Sequence, residues 1–315
     1  MALAVQRQRV SPQSRRNFRV AMVFLSPWLV GMLGLWLIPT VLSLYFAFTD
    51  YTGAIRPPHW VGLANFANMV NGTDPDFFTS VGVTVWWVCL SVPFGLAVGL
   101  GLALLLNWGV RGIGIYRTLF FLPSLVPFVG GTLIFLWLFN PQYGLVNDVL
   151  GALHLPQPGW FTDPAWAKPG LLLQSAWGIG ATIIIFLAGL QGVPEELYEA
   201  AALDGAGTLG RFWHVTIPLI TPTIFFNLVL GFINAFQYFA QAFIVSTSPS
   251  SFGGAGEVGG PAGSTLFFSL HIYDEAFQQG NIGYASALAW ALVTVVVLLT
   301  LLVVRTSGRW VHYGG

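Results

Sequence analysis

The pattern of hydrophobic and polar positions along this chain consists of long apolar runs separated by short polar segments. A run of about 20 mostly apolar residues can cross the hydrocarbon core of a membrane as one helix. Barrel strands would instead be segments of about 10 residues with alternating character. The pattern therefore predicts an all-α, polytopic membrane protein. Its six transmembrane helices are expected at residues 20–48, 80–107, 117–139, 170–191, 222–246 and 282–305.

Composition supports this prediction. Of the 315 residues, 55% are hydrophobic and 8% are charged, whereas a soluble domain carries about 25% charged residues. The first apolar run is too long for the core of a secretory signal and lacks a small-residue cleavage site, so we interpret it as an uncleaved anchor. The charges form no basic or acidic block, which argues against a nucleic-acid partner.

The basic residues predict the orientation, because cytoplasmic loops of membrane proteins are enriched in Lys and Arg. With a cytoplasmic N-terminus, only Arg56 and Lys168 are external. We therefore expect both termini and the polar segment near residue 200 to be cytoplasmic. The basic residues that this orientation places inside are Arg7, Arg9, Arg15, Arg16, Arg19, Arg111, Arg117, Arg211, Arg305 and Arg309.

The chain divides into a polar N-terminal tail, residues 1–17, and one six-span domain, residues 18–315. The tail segment "SPQSRR" is expected to be disordered. A Gly-rich external loop covers residues 246–265. Its "GGAGEVGG" is a poor candidate for a phosphate-binding loop, because no strand precedes it and no lysine is near. We interpret it as a mobile surface loop.

Two local features concern the external loop and the third span. The segment "LANFANMV" after the first span predicts a short helix at the membrane interface. Pro123 and Pro127 in the third span free backbone carbonyls inside the membrane, so we expect a kinked helix. The kink is either purely structural or lines an internal cavity.

A polar stripe in the fifth span is a candidate substrate path. At about 100° per residue its members fall on one helix face, with Gln237 at the edge. Amides hydrogen-bond hydroxyl groups, and aromatic rings pack on the C–H faces of sugars. Polar residues and Gly also mediate helix packing in membranes, so both interpretations stay open. The stripe consists of Asn227, Gly231, Asn234, Tyr238 and Gln241, and Gln174 and Trp177 in the fourth span join the candidates.

The segment "EELYEAAALDGAGTLGRFWHVTIPL", residues 195–219, lies in a charged island, residues 192–221, between apolar spans. Pro194 suits the first helical position, and Gly205 should stop the helix that follows it. Thr208 can cap a second short helix that ends before Pro218. From these residues alone, the island is either a helical loop or a docking element with aromatic anchors at Phe212 and Trp213.

The same island resembles a known motif. Glu199-Ala200-Ala201, three residues, Gly205, nine residues and Val215-Thr216-Ile217-Pro218 are similar to the EAA motif of binding-protein-dependent ABC importer permeases. The family form ends in Ile-x-Leu-Pro, so this sequence departs by Val for Ile and Ile for Leu. The segments "YRTLFFLPSLVP", "LFNPQYGLVNDVL" and "GNIGYASALAWAL" resemble the carbohydrate-uptake branch, with its maltose- and glycerol-phosphate-type permeases.

This resemblance implies the type I importer fold in the inner (plasma) membrane of a prokaryote. It also implies three kinds of partner: a second homologous permease, two copies of a cytoplasmic ATPase subunit that carry ATP and Mg²⁺, and an external substrate-binding protein. The island becomes the coupling helix, and this chain holds no cofactor. The coupling residues carried over are Glu199, Ala200, Ala201, Gly205 and Pro218, with Asp204 and Arg211 between them as candidates for ion pairing.

Other function classes fit the residues less well. The only lysine, Lys168, precedes Pro169, so the chain lacks a P-loop for ATP. The spans carry almost no ionisable groups, which disfavours a proton-driven carrier but leaves a sodium-coupled one open. A membrane enzyme acting on lipid-linked sugars would need clustered acidic or metal-binding residues. Among the external aspartates Asp50, Asp74, Asp76, Asp148 and Asp163, only Asp74 and Asp76 form a close pair, which is interpreted as a turn, and no metal site is predicted.

The expected function is therefore import of a sugar by alternating access, without covalent chemistry in this chain. The sugar is expected to be an oligosaccharide, a glucoside or a sugar phosphate. The external Asp274 and Glu275 are expected at the membrane edge, where contact with a binding protein is an open alternative.

Overall fold

The structure, a computed structural model, describes residues 12–53, 56–109, 111–248 and 258–312. Within these ranges the regular structure is helical, and the one β pairing is an isolated bridge between Thr49 and Trp60. Four described helices are long and apolar enough to cross a membrane, or six spans if each of two bent helix pairs counts as one. The tail residues 1–11 and the centre of the Gly-rich loop, residues 249–257, lie outside the described residues.

The first span consists of α1 (Pro12–Gly31), a π-helical segment (Met32–Leu37) and α2 (Ile38–Phe46). Its apolar side chains are largely exposed in this single chain, as expected for a helix that faces lipid or another subunit. The helix already begins at Pro12, so the expected disorder of "SPQSRR" is wrong from Pro12 onward. Proline is favourable in the first turn of a helix, where its missing N–H is not needed.

The centre of the bundle is α4 (Asp76–Asn107), which packs against α9 (Gly180–Gln191) and α13 (Thr221–Phe236). The approach of α4 to α9 is close, since a Cβ atom at Gly99 would lie 2.7 Å from Thr182 Cγ2. The larger buried cluster surrounds Trp87, which is 2% exposed. The core therefore lies between spans two, four and five, and it fixes the helices that carry the predicted path.

Three spans are interrupted. In the third, α5 (Ile113–Phe121) and a 3₁₀ turn meet α6 (Phe128–Leu138) at 97°, which confirms the predicted kink. In the fourth, α8 (Pro164–Trp177) meets α9 at 52°. In the fifth, α13 ends three residues before α14 (Ala240–Thr247). The last two interruptions were not predicted, because no proline lies at residues 178–179 or 237–239, where the helices break.

The short helices α3 (Ala64–Val70) and α7 (Leu145–Ala152) lie in loops, and α3 confirms the interfacial helix predicted for "LANFANMV". The sixth span is α16 (Ile282–Ser307). Before it lie α15 (Phe268–Tyr273) and a π-helical segment (Asp274–Gln278).

The C-terminal end packs beside the island. The backbone N–H of His312 donates to Thr221 Oγ1 at 2.9 Å, at the start of α13. The rings of Trp310 and Phe225 are 6.0 Å apart. The C-terminal segment and the island therefore occupy the same end of the bundle.

The opposite end is joined by what we call the Asp74 network, formed by Asp74, His271 and Tyr284. Asp74 Oδ1 accepts the N–H groups of Asp76 and Phe77 at 2.9 and 3.1 Å, so the predicted turn caps α4. Asp74 Oδ2 accepts the Tyr284 hydroxyl at 2.6 Å and lies 2.7 Å from His271 Nε2. The network thus connects the start of α4 to α15 and α16.

Candidate coupling surface and substrate path

The island folds as a helical hairpin of short elements. After α10 (Glu195–Leu203), Gly205 adopts a left-handed φ of +80°, and the Ala206 N–H donates to Ala201 O at 2.9 Å. The chain then forms α11 (Thr208–Arg211), a π-helical segment (Phe212–Thr216) and α12 (Ile217–Leu219). A left-handed backbone conformation favours glycine, so Gly205 ends α10 as predicted.

Three details of the island prediction are wrong. Pro194 is the extended N-cap of α10, not its first helical residue. Gly207 is the N-cap of α11, so Thr208 is the first residue of that helix and not its cap. The helical structure does not end before Pro218. It continues after the π-helical segment as α12, and Pro218 lies in the first turn of α12, where proline is tolerated.

The motif residues lie mainly on the surface of this hairpin. Tyr198 Oη lies 3.0 Å from Thr216 Oγ1 and fastens α10 to the π-helical segment. Apolar side chains around the motif point outward, with Leu203 90% and Trp213 57% exposed. Phe212, by contrast, is half-buried, so the two predicted aromatic anchors differ in exposure. The exposed motif residues are Glu199, Ala200, Asp204 and Gly205, and the half-buried ones are Ala201, Arg211 and Pro218.

Asp204 and Arg211 form no ion pair with each other or with any other described residue. Arg211 Nε is buried and has no hydrogen-bond partner within the described chain. The pairing expected for these two residues therefore requires a group outside the described residues.

The fifth-span stripe faces a cavity of about 270 Å³, which we call the stripe cavity. Asn227, Gly231, Asn234 and Tyr238 all line it, although Asn227 is buried and its Nδ2 donates to Thr223 O. The opposite wall comes from α4 and the fourth span. Sequence reasoning missed these wall residues, because a small hydroxyl side chain in an apolar run gives no periodic signal. They include Ser91, Ser175 and Thr182.

A second cavity, also about 270 Å³, lies where the three helix interruptions meet, and we call it the break cavity. Gln174, Trp177, Tyr238 and Gln241 line it together with residues of the third-span kink. The two cavities adjoin, because they share Ser175, Gly178 and Tyr238 as lining residues. Gln237 is exposed and lines neither cavity.

The Asp74 network borders a third cavity, of about 350 Å³, at the end of the bundle away from the island. Burial by itself raises the pKa of the Asp74 carboxyl. The hydrogen bonds from Tyr284 and His271, with the backbone N–H of Asp76, outweigh this effect and hold the pKa below its ordinary value. The network thus keeps a buried carboxylate ionised through its donors.

Ligating atoms of Asp74, His271 and Glu275 lie within 4.8 Å of one another, a grouping that the sequence analysis did not anticipate. Asp74 and His271 are already paired with each other, and the Asn281 amide donates to Glu275 at 2.9 Å. Each of the three side chains therefore has a hydrogen-bond partner, and we interpret them as structural links between neighbouring elements. Glu275, predicted at the external membrane edge, lines the third cavity.

Comparison with known proteins identifies the family. Residues 91–311 match the family described as "Binding-protein-dependent transport system inner membrane component". The chain is 39% identical over 95% of its length to the probable ABC transporter permease protein YesP of Bacillus subtilis, covering 94% of that protein. It is 32% identical over 89% of its length to the lactose transport system permease protein LacF of Rhizobium radiobacter, covering 91% of that protein.

The fold also matches a solved structure, a bacterial alginate ABC transporter in complex with an alginate pentasaccharide-bound periplasmic protein. The TM-score is 0.79 at 22% identity, over 94% of this chain and 96% of the matched chain. The all-α, six-span architecture of an importer permease is thereby confirmed. The chain is a multi-pass inner-membrane protein, a transport permease and not an enzyme, and it belongs to the family of inner-membrane components of binding-protein-dependent transport systems.

Proposed function

We propose that this chain is a membrane-spanning subunit of an ATP-driven importer that moves a carbohydrate by alternating access. The observation that carries the proposal is the pair of adjoining cavities between the spans, lined by amides, small hydroxyl side chains and aromatic rings. Such linings suit polyhydroxylated ligands. The relatives support it, since LacF is named as a lactose permease and the structural match as an alginate transporter.

The polar stripe serves in this proposal as one wall of the path. Asn234 is exposed on the single chain and lines the stripe cavity, so its amide is open to a ligand. Tyr238 lies at the junction of both cavities, with its ring 4.4 Å from that of Trp87. A sugar that passes from one cavity to the other would meet this pair of rings.

The island is the coupling element to a separate ATPase subunit. An exposed apolar surface around Leu203, Leu209 and Trp213 is well suited to a protein cleft, because large exposed apolar side chains mark interaction sites. ATP and Mg²⁺ then bind to the ATPase, and closure of its dimer pushes the island and rocks the spans.

The complete importer comprises this chain, a second homologous permease, two ATPase copies and an external substrate-binding protein. The alginate transporter, described as a complex with a periplasmic protein, supports the last partner. The distribution of basic residues supports cytoplasmic termini, and the C-terminal segment packs beside the coupling island. The first span, with its exposed apolar side chains, is then free to contact lipid or the second permease.

Charge reversal tests the coupling assignment. Glu199→Arg changes an exposed motif residue and should reduce the amount of ATPase subunit that co-purifies, while membrane insertion stays intact. Asp148→Arg is the matched control, because Asp148 is also exposed but lies in α7, within a loop distant from the island. Equal ATPase recovery in both variants would refute the docking role of the island.

Removal of one amide tests the path. Asn234→Leu should impair uptake of the transported sugar in proteoliposomes while the assembled complex and its ATPase content remain normal. If this variant transports at the wild-type rate, the stripe serves helix packing and not the path.

A further inference from the structure

Two arginines lie at the island end of the bundle, where α4 ends and α5 begins. Arg111 precedes α5, and Arg117 lies in its second turn. The end of α5 is close to the start of α9, because a Cβ atom at Gly180 would lie 3.0 Å from Phe120 O. The start of α5 is close to the end of α9, because Ile113 packs against a buried cluster that includes residues from the last turn of α9. Since the island follows α9 directly, the start of α5 lies at the island end.

Neither arginine has a carboxylate partner. The three ion pairs among the described residues all involve Asp50 or Asp74, at the opposite end of the bundle. No Asp or Glu occurs between Asp76 and Asp148, so the chain around the two arginines supplies no counter-charge. The acidic residues of the island form no ion pair with a described residue. Two positive charges at this end are therefore left without a counter-charge among the described residues.

The Arg117 side chain reaches back toward the end of α4. Its Nη2 donates to Leu106 O at 3.5 Å, a long hydrogen bond that uses one of the guanidinium N–H donors. Its Nε is buried without a hydrogen-bond partner in the described chain, so a ligand can be contacted only through the Nη groups. The residue as a whole is half-buried. Long basic side chains near the ends of spans extend in this way toward the membrane surface.

Aromatic and apolar side chains border the two arginines. Trp108 and Tyr116 are exposed on this chain, and both residue types are enriched at the boundary between membrane and water. Ile115 and Leu119, one turn apart on α5, are also exposed and continue this surface toward the middle of the third span. The surface is thus basic and aromatic at the end of the bundle and apolar farther in, which is the order of headgroup and acyl chains in a phospholipid.

We propose that Arg111 and Arg117 bind the headgroup phosphate of an anionic phospholipid, in the leaflet on the island side of the membrane. We call this the headgroup site, and the acyl chains of the lipid lie along Ile115 and Leu119. Guanidinium groups bind phosphate oxygens through charge-assisted hydrogen bonds, and basic residues at the cytoplasmic membrane surface attract anionic lipids. A zwitterionic headgroup brings its own cation to the two arginines, so a headgroup with net negative charge is preferred.

This inference goes beyond the proposed function, because lipid binding needs neither a transported sugar nor ATP. Native mass spectrometry of the purified protein, with any subunits that co-purify, measures it directly. After delipidation in detergent, the protein is titrated with phosphatidylglycerol or with phosphatidylcholine that carries the same acyl chains. The apparent dissociation constant of the first bound lipid is compared between variants.

We expect phosphatidylglycerol to bind more tightly than phosphatidylcholine. A basic residue near an anionic surface strengthens binding about fivefold, so Arg111→Gln and Arg117→Gln should each weaken phosphatidylglycerol binding about fivefold and the double variant on the order of 25-fold. Glutamine keeps an N–H donor for Leu106 O. Because Arg111 is exposed, Arg111→Gln tests the site even if Arg117→Gln lowers the yield of folded protein.

The matched control is Arg305→Gln, because Arg305 is likewise exposed and without an ion pair among the described residues, near the C-terminal end of α16. It should leave the dissociation constant for phosphatidylglycerol within twofold of wild type. Equal losses in Arg305→Gln and Arg111→Gln would overturn the headgroup site, since they would mean diffuse attraction to the whole basic end. Equal binding of the two lipids to the wild-type protein would overturn it as well.

Two further measurements identify the source of the anion. Millimolar glycerol 3-phosphate carries phosphate without acyl chains and should not displace phosphatidylglycerol. Displacement would mean that the arginines bind a soluble phosphate and that the lipid assignment is wrong. The amount of co-purified ATPase subunit should be unchanged in the double variant. Loss of that subunit with wild-type lipid binding would mean that the arginines contact the ATPase, and it would likewise overturn the proposal.

Discussion

Tyr284→Phe removes a single donor from the Asp74 network and leaves the rest in place. The Tyr284 hydroxyl donates to Asp74 Oδ2 at 2.6 Å, while the two backbone N–H groups and His271 remain bound to the carboxylate. A hydrogen bond to an ionised group contributes about 1.5–3 kcal/mol to stability. Asp74 is only 8% exposed, so water replaces the lost donor poorly. We expect the free energy of unfolding to fall by about 2 kcal/mol.

The measurement is thermal unfolding of the purified complex in detergent. For a large chain, a loss of about 2 kcal/mol lowers the melting temperature by on the order of 5 °C. Tyr273→Phe is the matched control, because the Tyr273 hydroxyl makes no hydrogen bond with a described residue and its ring is likewise half-buried. Its melting temperature should stay within about 1 °C of wild type, in the range of substitutions that touch no special feature.

A double-mutant cycle locates the effect. In an Asp74→Asn background the carboxylate is absent, so Tyr284→Phe should cost less than half of its cost in the wild-type chain. Two results would refute this account: a melting temperature of Tyr284→Phe equal to that of the wild type, or the same loss of unfolding free energy from Tyr284→Phe in both backgrounds. Either result would mean that the hydrogen bond between Tyr284 and Asp74 does not stabilise the contact between α16 and α4.

Three further predictions concern acid, packing and the island. Because the folded structure lowers the pKa of Asp74, the stabilisation by its carboxylate is present above the ordinary Asp pKa of about 3.9 and is lost as the pH falls through the lower folded value. The melting temperature should therefore fall more steeply below about pH 4 in the wild type than in Asp74→Asn. Gly99→Leu should lower stability by about 1–3 kcal/mol in the same melting assay, because its Cβ atom alone would lie 2.7 Å from Thr182 Cγ2 on α9. Gly101→Leu is the control and should cost less, because a Cβ atom at Gly101 would have no atom within 4 Å. Gly205→Ala should speed amide hydrogen exchange in α10 about tenfold, since a left-handed conformation costs a non-glycine residue about 1–2 kcal/mol, whereas Gly207→Ala, with φ of −66°, should not.

Much of the fold followed from local sequence. Residues 222–246 and 282–305 were predicted as spans, and the structure has helices or helix pairs over Thr221–Thr247 and Ile282–Ser307. The agreement has a physical cause, because a long apolar run in lipid must satisfy its backbone hydrogen bonds internally. The kink at Pro127 and the stop at Gly205 followed equally directly from the backbone preferences of proline and glycine.

Errors arose where the local signal was ambiguous. The bend after Trp177 has no proline to announce it, and apolar residues continue on both sides. The cap of α11 was assigned to Thr208, although the adjacent Gly207 supplies it. Helix ends depend on one or two residues and on what packs around them, so periodicity alone cannot fix them.

By itself, the sequence determined the class of protein, the number of spans, the position of the island and which residues share a helix face, because each depends on neighbours within a few turns. Only the tertiary structure decided which faces meet. Gln174 bonds to Thr132, which is 42 residues away in the sequence, and Asp74 pairs with His271, which is 197 residues away. Such pairs are set by how the helices cross and where they break. The same breaks enclose Gln174, whose side-chain carbonyl has no hydrogen-bond partner within the described residues.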